Sequence, residues 1–114
     1  MRSLKQLNLS EKEKDALREL KKKLSKIFPN IEIIIFGSKA RGDFEPESDI
    51  DLLILIDNEV DTTIEEKINE VIYDIELKYN VVFGKIIESK KFWNSPHHII
   101  TPIHKYIEKE GIVI

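Results

Sequence analysis

The stretch "FGSKARGDFEPESDIDLLILI", Phe36 to Ile56, decides how the whole chain is read. An apolar run stops at Gly37 and Ser38, a polar loop follows, and Asp49 and Asp51 open a second apolar run. Side chains alternate along a strand, so the two aspartates share one face while Ile50 turns to the core. Two carboxylates this close repel, and one is driven toward protonation unless a cation stands between them. Oxygen ligands alone suit a hard cation such as Mg²⁺, which takes one or two carboxylates together with substrate phosphates.

The other end of the loop has the opposite character. Gly37 lets the backbone approach a ligand, and successive amides there form an anion-binding nest to which the Ser38 hydroxyl adds a donor. Arg41 follows within a turn, and a guanidinium beside a phosphate is a common pairing. One ligand joins the two ends: a nucleoside triphosphate chelated to Mg²⁺, with Gly37, Ser38 and Arg41 on its phosphates and Asp49 and Asp51 on the metal. Asp43, Glu45 and Glu47 read as solvated loop acids that deepen the negative field. Gly-Ser alone would read as a turn, and Asp-x-Asp alone as a strand edge capping amides. In the order strand, Gly-Ser, loop, Asp-x-Asp, strand, they read as a nucleotide site.

Outward from that stretch, the periodicity predicts the remaining elements. Ser10 and Glu13 form a capping box before a helix over 11–27, with Leu17, Leu20, Leu24 and Ile27 on its apolar face. The opposite face, with Lys14, Arg18, Lys21 and Lys22, reads as solvated. "IEIIIF", 31–36, and "IDLLILID", 50–57, are strands covered on both faces. Ile64, Ile68, Val71, Ile72 and Ile75 mark a second amphipathic helix over 62–79, capped by Thr62 and Glu65. "VVFGKII", 81–87, is a third strand, and Thr101-Pro102 starts a short helix ending near Gly111. "GIVI" at 111–114 adds a short strand. The class is α+β (α/β-like): a small mixed β-sheet flanked by helices.

At 114 residues the chain is expected to be one domain, 1–114. Its 41% hydrophobic and 34% charged residues are ordinary for a globular protein. A formal charge of −3 argues against direct nucleic-acid binding. No apolar run reaches the ~20 residues of a membrane span. With no cysteine there is no disulfide framework and no thiolate chemistry, which fits a cytoplasmic location.

Gly37-Ser38, ten residues, then Asp49-Ile50-Asp51 is similar to the signature of the DNA polymerase β-like nucleotidyltransferase superfamily. The wording "GSKARG" and "SDIDLLI" most resembles its small members, the minimal nucleotidyltransferases. The resemblance implies the nucleotidyltransferase fold and Mg²⁺-dependent transfer of a nucleoside monophosphate from a triphosphate, with pyrophosphate released. It implies that Gly37 and Ser38 hold the triphosphate and that Asp49 and Asp51 coordinate two Mg²⁺ ions. For this type it also implies an antitoxin role beside a HEPN-domain ribonuclease, exercised in some cases by adding AMP from ATP to a tyrosine, within a homo- or hetero-oligomer.

One departure stands out. Relatives with full activity carry a third carboxylate on the strand after the second long helix, and "VVFGKII" holds none. Glu88 reads as a solvated strand terminus. A second reading is therefore a binding module, catalytically weak or inactive, that neutralises a HEPN ribonuclease by contact. A third, transfer to a small molecule such as an aminoglycoside, resembles considerably larger relatives. His97, His98 and His104 read as loop or surface residues, and Phe92 and Trp93 as caps on the sheet or part of a partner surface.

Overall fold

Two of the apolar runs become the central neighbouring strands of a sheet, and helices are arranged over its two faces. The computed structural model describes residues 9–42 and 48–114; Asp43, Glu45 and Glu47 lie outside the described residues. The elements in order are α1 (Glu11–Ile27), β1 (Glu32–Phe36), α2 (Ser38–Arg41), β2 (Ile50–Ile56) and α3 (Thr62–Tyr79). They continue with β3 (Phe83–Ser89), α4 (Lys90–Trp93), α5 (Pro96–Ile99), α6 (Pro102–Glu110) and β4 (Ile112–Val113). The sheet order is β3-β2-β1-β4, with β2 parallel to β3 and antiparallel to β1, and β4 antiparallel to β1. The mixed sheet flanked by helices is the class expected from the sequence.

The two faces of β2 explain its unbroken apolar run. Leu52, Ile54 and Ile56 face α1 and α3, where Leu17, Leu20 and Leu24 meet Ile68, Ile72 and Ile75. Leu53 and Leu55 face the other way, onto Trp93 of α4 and Ile107 of α6. A strand buried on both sides cannot alternate apolar and polar residues.

The α1 capping box is as read: the Ser10 hydroxyl accepts from the Glu13 amide and Glu13 accepts from the Ser10 amide. Ile27 is half-exposed, and Phe28 fills the core position instead. The cap of α3 is Asp61 rather than Thr62. Its carboxylate accepts from the Ile64 amide at 2.8 Å, and a carboxylate is a stronger acceptor than a hydroxyl there. β3 begins two residues later than its apolar run. Asn80 is left-handed and the Val81 amide bonds back to the Glu76 carbonyl, so Val81 still belongs to the helix exit. The Glu76 carboxylate then takes the Phe83 amide at 2.8 Å and starts the strand. Among the described residues, no helix is long and apolar enough to cross a membrane.

Candidate active site

Strand register brings the site together before any side chain is considered. Phe36, Asp51 and Gly84 are adjacent across β1, β2 and β3. Ile50 is buried in the core under α1 and α3, so Asp51 emerges on the opposite face. There its carboxylate lies between two glycines. A Cβ added to Gly37 would stand 2.4 Å from Asp51 Oδ2, and one added to Gly84 would stand 2.4 Å from Asp51 Oδ1. Gly37 also has φ +77°, a conformation that L side chains rarely adopt. Both positions need glycine so that this carboxylate can sit where it does.

Burial is the main force pushing Asp51 above the usual aspartate range, the charge of Asp49 adds to it, and Arg41 opposes both. Asp49 is exposed, one residue before β2. This is the repulsive pair the sequence suggested, with Arg41 within electrostatic reach. Ser38 is half-buried at the first position of α2, directly after Gly37. Gly37, Arg41, Asp49 and Asp51 therefore converge, and Ser38 follows in the chain.

Two contacts that hold this segment have no signature in the sequence. Lys39, between Ser38 and Arg41, is fully buried and pairs with Glu13 at 2.8 Å. Burial works to raise Glu13, but the hydrogen bond from Lys39, with those from Ser10, outweighs it and holds the carboxyl below its ordinary range. One glutamate thus caps α1 and ties down the Gly-Ser segment. Glu13→Gln keeps the capping oxygen but leaves the buried ammonium without that charge, and should destabilise the protein by about 3 kcal/mol in denaturant unfolding. Adding Lys39→Met should recover part of the loss. The stability that ionised Glu13 contributes is present at neutral pH and lost as pH falls through the glutamate range, because the unfolded chain binds the proton first. The second contact is on the far side: Arg41 donates from Nη1 to the hydroxyl of Tyr106 on α6.

Other candidates lie elsewhere. Glu88 faces the same side as Asp51 but pairs in register with Leu55, four residues beyond Gly84 and so about 13 Å along the strand. Burial pushes it up, His98 opposes and Glu65 adds. It is half-buried rather than a solvated terminus, and it is not at the aspartates. His104 is buried, not on the surface, and its ring stacks on Trp93 at 4.8 Å, with the half-buried His98 at 4.4 Å from the same indole. Phe92 is half-exposed. Among the described residues, no group of three His, Cys, Asp or Glu side chains could hold a metal.

Phe83 is buried in the α1–α3 core, so its neighbours Val82 and Gly84 belong to the Asp51 face. The Ile50 amide bonds the Val82 carbonyl at 2.9 Å, which sets Val82 beside Asp49 as Gly84 is set beside Asp51. Neither residue is acidic. A family model described as "Nucleotidyltransferase domain" matches residues 17–113. The chain belongs to this nucleotidyltransferase family. Two curated relatives from Methanocaldococcus jannaschii are similar to it, each named "Putative protein adenylyltransferase". One is 40% identical over 82 residues, covering 72% of this chain and 75% of the relative. The other is 36% identical over 78 residues, covering 67% and 79%. The fold of this nucleotidyltransferase is also similar to a solved structure described as "Crystal structure of the toxin-antitoxin with AMP-PNP", with TM-score 0.56, 14% identity, and coverage of 87% of this chain and 69% of that one. At that identity the likeness shows the fold alone.

Proposed function

We propose that this nucleotidyltransferase moves AMP from ATP onto a hydroxyl of a partner protein, as the antitoxin of a pair whose toxin is a HEPN-domain ribonuclease. The observation that carries the reading is the Asp51 carboxylate set between Gly37 and Gly84, with Asp49 and Arg41 close by. That cradle fits an ion: an oxygen-only pair in which burial and the nearby charge of Asp49 push Asp51 up gains most from a hard divalent cation. Asp49 and Asp51 would hold Mg²⁺, which when bound supplies neutralising charge for the triphosphate.

The chain's own residues do the rest. Gly37 and Ser38 offer backbone and hydroxyl donors to the phosphates, and Arg41 adds positive charge. The acceptor oxygen bonds to the α-phosphorus as the bond to the β-phosphate bridging oxygen breaks, pyrophosphate leaves, and the hydroxyl proton is released. Such displacement needs positioning and charge neutralisation more than covalent help from the protein. The names of the two archaeal relatives support protein as the acceptor, and the toxin–antitoxin neighbour with AMP-PNP supports the setting. The protein should be incubated with α-³²P-ATP, Mg²⁺ and the product of the adjacent gene. Label on the partner is expected; none, beside an active control enzyme, would sink the proposal.

Val82 and Gly84 favour a second reading, in which the nucleotide site has weakened and neutralisation rests on contact. Under that reading, inhibition of the ribonuclease survives loss of the aspartates.

A further inference from the structure

Arg41 and Tyr106 lie 65 residues apart, on α2 and α6, yet the arginine Nη1 donates to the tyrosine hydroxyl. The guanidinium carbon lies 6.0 Å from the ring centroid, so the ring flanks the charge as well as accepting from it. Tyr106 is itself fixed. Its half-buried ring packs against the core of Ile34, Leu53, Leu55, Trp93 and Ile107, and its neighbour Ile107 is fully buried. The hydroxyl is thus a rigid acceptor at the end of the sheet face on which Asp51 opens.

Arg41 is placed to use that acceptor. It ends a four-residue helix, is exposed, and is followed by Gly42 in the left-handed conformation. A long exposed side chain spreads over many rotamers, and a ligand that requires one of them loses affinity to the ordering. A guanidinium has five N–H donors in a planar fork, so fixing one orients the others. The Arg41 amide bonds the Gly37 carbonyl at 3.1 Å, one turn from the glycine that faces the Asp51 carboxylate, and the Arg41 charge acts on that carboxylate.

We propose that Tyr106 is a positioning residue for the nucleotide site: its hydroxyl aims the Arg41 guanidinium at the phosphates of a nucleotide seated on Gly37, Ser38, Asp49 and Asp51. The proposal rests on the nucleotide-binding reading above and extends the site to the C-terminal helix. Tyr106→Phe removes the acceptor and keeps the ring.

The test is a double-mutant cycle on MgATP affinity by calorimetry, using wild type, Tyr106→Phe, Arg41→Ala and the double variant, with thermal melting as the folding check. Tyr106→Phe should weaken binding about three- to tenfold, as expected for one hydrogen bond. In the Arg41→Ala background it should cost nothing. Arg41→Lys keeps the charge without the fork and should also lose its dependence on Tyr106, so the contact is tested from either side should one variant fold poorly. Guanidinium ¹⁵N NMR gives a ligand-free readout: rotation of the Arg41 group should be slower in wild type than in Tyr106→Phe. If wild type binds MgATP and Tyr106→Phe binds equally well, or loses as much without Arg41, the positioning role is overturned and the nucleotide site stands. If wild type binds no MgATP, both fall together.

Discussion

Asp51→Asn will lower nucleotidyl transfer by about 10³-fold while raising thermal stability in metal-free buffer. Removing one of the two carboxylates proposed to hold the metal forfeits several kcal/mol of transition-state charge stabilisation, and ~4 kcal/mol is ~10³ in rate. Asparagine matches aspartate in shape, so it fits between Gly37 and Gly84, where larger residues would not. The stability half follows from sign. Burial and Asp49 make ionisation of Asp51 unfavourable in the folded state, and near neutral pH the native protein bears that cost. A neutral amide removes it. Transfer assays with the labelled nucleotide check the first half and metal-free melting checks the second. Full transfer by this variant would remove Asp51 from the chemistry. The same protein also separates the two functional readings. If it still silences the proposed partner ribonuclease, contact is sufficient; if silencing is lost along with transfer, the modification is what neutralises.

Legibility in the sequence followed the range of the forces involved. α1, β1, β2 and α3 came from periodicity because their burial is set by residues one turn or two positions apart. The aspartate pair shares one face through the same two-residue period, and the Gly-Ser turn was legible from its place between the first strand and that pair. β3 was misplaced by two residues because Val81 and Val82 are as apolar as the strand itself. What moves the start is a left-handed Asn80 and the Glu76 carboxylate reaching the Phe83 amide. Gly84 gave a signal that was available: glycine inside a strand often marks a close approach, here by a carboxylate. Lys39 and Tyr106 gave none. A lysine reads as exposed by default, and the partners of these two lie on other elements, Glu13 and Arg41. Pairings across the fold carry no sequence period, which is why the site's motif was readable and its supports were not.

Val82→Asp should raise transfer by about 10²-fold, the usual contribution of a positioned general base. The position is argued from register: the Val82 carbonyl already accepts from the Ile50 amide, and the side chain belongs to the face that Asp51 and Gly84 share. Gly84 cannot serve, because a Cβ there would meet Asp51 Oδ1 at 2.4 Å. Val82 has room, being 57% exposed, so losing its methyl groups costs little packing. A third acid beside Asp49 and Asp51 adds repulsion that a divalent cation would offset. The variant should therefore melt lower than wild type in EDTA and recover most of the difference with Mg²⁺. That dependence is the second readout, and it separates an acid that joins the site from one that merely sits on the surface. A variant that folds, shows the Mg²⁺-dependent melting shift and gains no transfer would mean that the missing carboxylate is not what limits turnover. A variant with neither shift nor gain would mean that residue 82 does not face the aspartates at all. The gain, if found, ties the missing third carboxylate to a single position one step before β3.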